Sequence, residues 1–227
     1  VFIDSITGEI YHASFKKKLI FGSIILNMLK TYPPAVIGVS KFISNFFNPL
    51  TSLIIFFIYI SSQDFAPKAA LKTFMPILLF TILPIVIWIV WNVKKGNYTN
   101  LDVSNRNQRK SLYFFISACI GVYLIYDYTT TGTPDLLMIF LMILLLILQV
   151  SNYFIKSSMH TAFNVFVAAL FFAESPLLGV IWAVIAILVG ITRVILKRHT
   201  TQEVATGAAI AILVSFIYLY TNIQIQH

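Results

Sequence analysis

The chain has 227 residues, 59% of them hydrophobic and 11% charged, with a mean hydropathy of +0.87. An ordinary soluble domain is about 25% charged, so the composition excludes one and calls for an all-α membrane protein, a polytopic helical bundle of net charge +8. Its single cysteine, Cys119, lies in an apolar segment and excludes a disulfide framework, and the alternating strands of a β-barrel are absent.

Residues 1–15 are mixed polar without the apolar run of a signal peptide, so none is expected. Residues 16–31 open on Lys16, Lys17 and Lys18 and read as an interfacial amphipathic helix. The expected organisation is an N-terminal interfacial segment over 1–34 and one membrane-embedded domain over 35–227, with about six to seven spans. The first span ends near Ser61 and is broken at Asn45, Asn48 and Pro49. A loop over 62–72 leads to a second span at about 73–93, with kinks expected at Pro76 and Pro84. The polar loop KKGNYTNLDVSNRNQRKS covers 94–111. Spans follow at about 112–128 and 136–153, then a polar knot, KSSMH, at 156–160. The fifth and sixth spans, about 161–173 and 177–191, are separated only by Glu174, Ser175 and Pro176, which predicts a tight helical hairpin. After the stretch ITRVILKRHTTQEV, a seventh span runs from about 204 to 220.

Two spans separate each successive pair of polar knots: Arg106 and Arg109, then Ser158 and His160, then Arg193 to Glu203. All three therefore emerge on one membrane face. Of the sixteen Lys and Arg residues, only Lys68 and Lys72 fall on the opposite face, so the positive-inside rule predicts a cytoplasmic knot face.

Arginine forks bind phosphate oxygens bidentately, and Arg106, Arg109 and Arg193 supply three of them. The N-termini of the fifth and seventh spans add backbone donors and a positive dipole end. Displacing a phosphate group requires a nucleophile and an acid, roles that two histidines can divide. His160 and His199 are the candidates, since His12 lies in the N-terminal segment and His227 is the last residue. Glu203, one helical turn beyond His199, shares its face and could fix the imidazole tautomer. Each residue also has a plainer role. Thr200 and Glu203 form a T-x-x-E capping box, Ser157 or Ser158 could cap the fifth span, and Lys197 and Arg198 suit a juxtamembrane flank.

Taken together these residues resemble the type 2 phosphatidic acid phosphatase superfamily of membrane lipid phosphatases, whose motifs are written KxxxxxxRP, PSGH and SRxxxxxHxxxD. The third is kept in spacing at Arg193, His199 and Glu203, with Thr192 for Ser and Glu203 for Asp. The second matches at Ser158 and His160, with Ser157 and Met159 replacing Pro and Gly. In the first, Asp102 stands seven positions before Arg109 where the family has Lys, Lys110 replaces Pro, and Arg106 is expected to stand in for the missing cation. The resemblance covers about residues 94–210. It implies a two-step phosphoryl transfer without metal or other cofactor. His199 would attack phosphorus, His160 would protonate the leaving oxygen, and Glu203 would orient His199. Arg106, Arg109, Arg193 and the Ser158 region would hold the phosphate. The implied partners are the bilayer and a lipid phosphate, with a polyprenyl phosphate or diphosphate preferred over phosphatidic acid or phosphatidylglycerophosphate, and no nucleic acid. Two rivals stand beside this reading: a non-catalytic lipid-phosphate binder or transporter, and an intramembrane prenyltransferase. The second would need Asp-rich clusters for magnesium, and the polar loop offers only Asp102.

Overall fold

The computed structural model describes residues 32–63, 74–103 and 105–226; the interfacial helix expected over 16–31 and most of the loop at 62–72 lie outside them. By internal contacts the chain divides into two compact units, Val1–Val39 and Ser40–His227. The second carries the site.

The described residues are helical and contain no strand. Helix α1 (Pro34–Phe46) and helix α2 (Pro49–Gln63) meet at a bend of 56°. The break falls where the sequence predicts it: Pro49 has no N–H for the helix ladder, and Asn48 Oδ1 accepts from the backbone of Leu50 and Thr51 to start α2 afresh. Helix α3 (Phe74–Lys94) contains a π-helical stretch at Leu78–Ile82 just ahead of Pro84. A ring that cannot donate and that crowds the preceding turn accounts for this wider turn. Helix α4 (Arg106–Thr131) is capped by the Asn105 side chain and ends on Gly132 in the left-handed region, at φ 80°. It begins six residues earlier than the span read from hydropathy, so Arg106, Arg109 and Lys110 are helical rather than part of the loop.

Helix α5 (Leu136–Phe154), helix α6 (Met159–Glu174), helix α7 (Pro176–Ile195) and helix α8 (Thr201–Gln226) complete the order. Helix α6 is apolar and buried nearly all round, from Met159 to Phe171, which is the signature of a central core helix. It packs against α2, α7 and α8. The expected α6–α7 hairpin is present, and Gly179 lets it close: a Cβ there would stand 2.5 Å from Cβ of Phe172. Outward faces carry apolar stripes, among them Leu177, Val180, Val184, Ile187 and Ile191 of α7. Five helices are long and apolar enough to cross a bilayer, a sixth span arises if α1 and α2 are one bent span, and α6, with 16 residues, is shorter. Buried centre and apolar exterior define an integral membrane helical bundle.

Candidate functional site

Between α3 and α4 the polar loop is pinned by its own buried side chains. Tyr98, Val103 and Leu112 form a small core against Trp88, Ile89 and Val93. Trp88 Nε1 donates to the Tyr98 hydroxyl at 3.0 Å and its ring stacks on Phe115 at 4.2 Å. These anchors set the course of the loop as far as Asp102 and Val103.

At the end of α7 the chain curls back. The N–H groups of Arg198 and His199 both donate to the Arg193 carbonyl, at 3.0 and 3.2 Å, and Lys197 takes a positive φ of 54°. The turn returns His199 toward Arg193 despite the five residues between them. Helix α8 then starts on the capping box: Thr200 Oγ1 accepts from the Glu203 N–H, and Glu203 Oε2 accepts from the Thr200 N–H, both at 3.2 Å. The same Glu203 oxygen lies 2.8 Å from His199 Nδ1. Capping and orientation therefore coexist in one carboxylate.

Arg109, only 2% exposed, ties three segments together. Its Nε donates to the Val103 carbonyl at 3.0 Å and its Nη1 to the Ser157 carbonyl at 3.1 Å, while Nη2 lies 3.2 Å from His199 Nε2. Because Nη2 can only donate, His199 Nε2 is the acceptor and the ring proton sits on Nδ1, facing Glu203. Burial, then the charges of Arg109 and Arg193, push the His199 pKa down to about 2, so the ring is neutral across the physiological range.

The second half of the cluster centres on Asp102. Its Oδ2 accepts from Arg193 Nη2 at 2.7 Å, and its Oδ1 lies 3.1 Å from His160 Nε2, a close contact without hydrogen-bond alignment. Burial opposes ionisation of this carboxyl, but the charges of His160 and Arg193 outweigh it and hold it below the ordinary carboxylate value. Arg193 Nη1 also donates to Ser44 Oγ of α1 at 2.9 Å. Among the described residues, Arg193 Nε and His160 Nδ1 also have no hydrogen-bond partner in this buried place.

The structure thus joins His160 and Arg193 through Asp102, and Arg109, His199 and Glu203 through the His199 ring. The backbone links the two halves, since the Ser158 N–H donates to the Glu203 carbonyl at 3.0 Å. Two residues are used differently from the phosphate contacts expected of them. Arg106 turns to the end of α5, where Nε donates to the Asn152 carbonyl at 2.6 Å and Nη2 to that of Tyr153. A cation on the last carbonyls of a helix is a stable arrangement, and it keeps the Arg106 fork out of the cluster. Ser158 caps α6: its Oγ accepts from the Thr161 hydroxyl at 3.0 Å and the Thr161 N–H at 3.4 Å. Ser44, as well as Asp102 in the role of a bridging anion, escaped the sequence reading. So did Tyr113, one turn beyond Arg109 on α4, a fully buried side chain that lies within reach of the Arg109 charge. Among the described residues no group of three His, Cys, Asp or Glu side chains is placed to hold a metal ion.

No family model, no curated protein and no solved structure matches the chain.

Proposed function

We propose that the protein is a metal-independent phosphatase acting on a lipid phosphate or diphosphate, as the resemblance to the type 2 phosphatidic acid phosphatases implies. The observation that carries this reading is His199: neutral, with Nδ1–H on Glu203 and the Nε2 lone pair beside an arginine fork. That is the tautomer a nucleophilic imidazole requires. In the first step the Nε2 lone pair forms a bond to phosphorus as the phosphorus–oxygen bond to the lipid breaks; His160, neutral in its buried place beside Arg193, takes up the proton of a monoanionic phosphate and delivers it to the departing oxygen. In the second, water loses a proton to His160 and attacks phosphorus, the phosphorus–nitrogen bond breaks, and inorganic phosphate leaves. Arg193 and Arg109, the latter moving from His199 to the substrate, would neutralise the phosphoryl oxygens, where most of the transition-state charge resides. A prenyl chain is the preferred lipid, and the fourteen cations on the knot side support a cytoplasmic site.

Asp102 gives a specific reason to keep a second reading, a lipid-phosphate binder without turnover, because a carboxylate stands between Arg193 and His160 where the resembling family has a cation. Release of inorganic phosphate from polyprenyl phosphate in detergent decides between them. Metal-free, vanadate-sensitive release that His199→Ala abolishes supports the phosphatase; binding of the lipid phosphate without release supports the binder.

A further inference from the structure

The Asp102 carboxylate holds the two groups that an incoming phosphate would use. Arg193 Nη2 is 2.7 Å from one of its oxygens and His160 Nε2 is 3.1 Å from the other, so the two oxygens span the donors much as two oxygens of a phosphate would. The neighbouring residue is held in an unfavourable backbone conformation to achieve this. Val103 has φ 44°, in the left-handed region that a β-branched residue rarely enters, and it is 1% exposed. Tyr98 and Val103 bury the loop on one side, and Arg109 Nε grips the Val103 carbonyl on the other. The donor capacity of the cradle exceeds what Asp102 takes up, since Arg193 Nε, in a side chain 2% exposed, finds no partner among the described residues. The groups acting on the carboxylate come from several elements: the Arg193 charge from α7, the Arg109 charge from α4, Lys156 from the turn before α6, and the His160 ring from α6 itself.

We propose that Asp102 is a tethered competitor for the anion cradle: a phosphate group binds by displacing its carboxylate from Arg193 and His160, and the strained Asp102–Val103 segment moves as it does so. The inference rests on reading the cluster as a phosphate site. It makes the loop a built-in brake on anion binding, which a charge-assisted hydrogen bond of ordinary strength would render at least tenfold.

Titrating inorganic phosphate into the detergent-solubilised full chain tests it, with thermal unfolding as a check on each variant. Asp102→Asn and Asp102→Ser are expected to bind phosphate at least tenfold more tightly than the parent. Equal or weaker binding by the variants overturns the proposal, weaker binding meaning that Asp102 positions Arg193 for the ligand, and leaves the phosphate site standing. Absence of binding by parent and variants alike overturns the phosphate site and the proposal with it. The parent protein gives an independent measurement. The Val103 amide, which donates to the Asn100 carbonyl at 3.1 Å, should exchange its hydrogen faster under saturating phosphate. Unchanged or slower exchange overturns the displacement.

Discussion

At the scale of single residues, the cluster depends on which atom of each side chain is engaged. Glu203 serves the Thr200 N–H and the His199 ring with the same oxygen, so a substitution that keeps the cap but removes the charge separates the two roles. Glu203→Gln can still accept from the Thr200 N–H and is expected to leave thermal unfolding nearly unchanged. It no longer stabilises positive charge on His199, and phosphate release is expected to fall by about a hundredfold or more. An unchanged rate would reduce Glu203 to a helix cap.

His199 carries a second prediction, with its sign set by its depressed pKa. Above about pH 6.5, the ordinary histidine value, folded and unfolded His199 are both neutral and stability is insensitive to this group. As pH falls below that value the unfolded chain takes up a proton that the folded site refuses until about pH 2, so acid favours unfolding. Thermal unfolding in detergent from pH 8 to 5 should show stability falling below about 6.5, and His199→Gln should flatten part of that fall. The contact between His199 and Glu203 was legible in the chain, since the two are four positions apart; His199 precedes α8, and the capping turn at Thr200 brings Glu203 back to it. Asp102 and Ser44 were not legible. They reach Arg193 from elements 91 and 149 residues away in sequence, and no local periodicity records such an approach.

At the scale of elements, the site depends on how closely α8 can pass the start of α6. Gly207 of α8 lies over Ser158, where a Cβ would stand 2.7 Å from the Ser158 carbonyl oxygen and 3.1 Å from its nitrogen. Both are backbone atoms and cannot swing aside. Gly207→Ala must push the two helices apart, stretching the hydrogen bond between the Ser158 N–H and the Glu203 carbonyl and shifting His160 relative to His199. Overpacking of this kind costs about 1–3 kcal/mol, so lower thermal stability together with slower phosphate release is expected; a silent substitution would show that the approach of the helices does not set the site. Hydropathy located most helix ends within a few residues, but it placed the start of α4 too late. Asn105 caps that helix ahead of its apolar run, and the polar turn from Arg106 to Lys110 is helical because it covers the end of α5 and the interior of the cluster.

At the scale of the whole molecule, the three polar knots meet although they lie far apart in the chain. Their meeting follows from the even number of apolar segments between them, helices α4 and α5 separating the first from the second and α6 and α7 the second from the third. The same order predicts which side of the membrane they face. Cys119 is buried, so Asn97→Cys in the exposed part of the polar loop supplies an accessible thiol. It is expected to react with a membrane-impermeant maleimide only when the cytoplasmic face is opened. Labelling of intact cells would place the site outside and overturn the positive-inside assignment.

The sequence by itself determined that this is a helical membrane protein, where its helices break, and that His199 and Glu203 form a pair. Those features depend on composition, on proline and asparagine at the breaks, and on a spacing of four residues across a helix cap, all of them local. Tertiary structure alone decided the partners of Arg106, Arg109, Arg193 and Asp102. Arg106 was drawn to the carbonyls at the end of α5, and Asp102 into contact with Arg193 and His160. A buried charge takes the opposite charge or dipole that packing brings within reach, and that partner is a property of the fold.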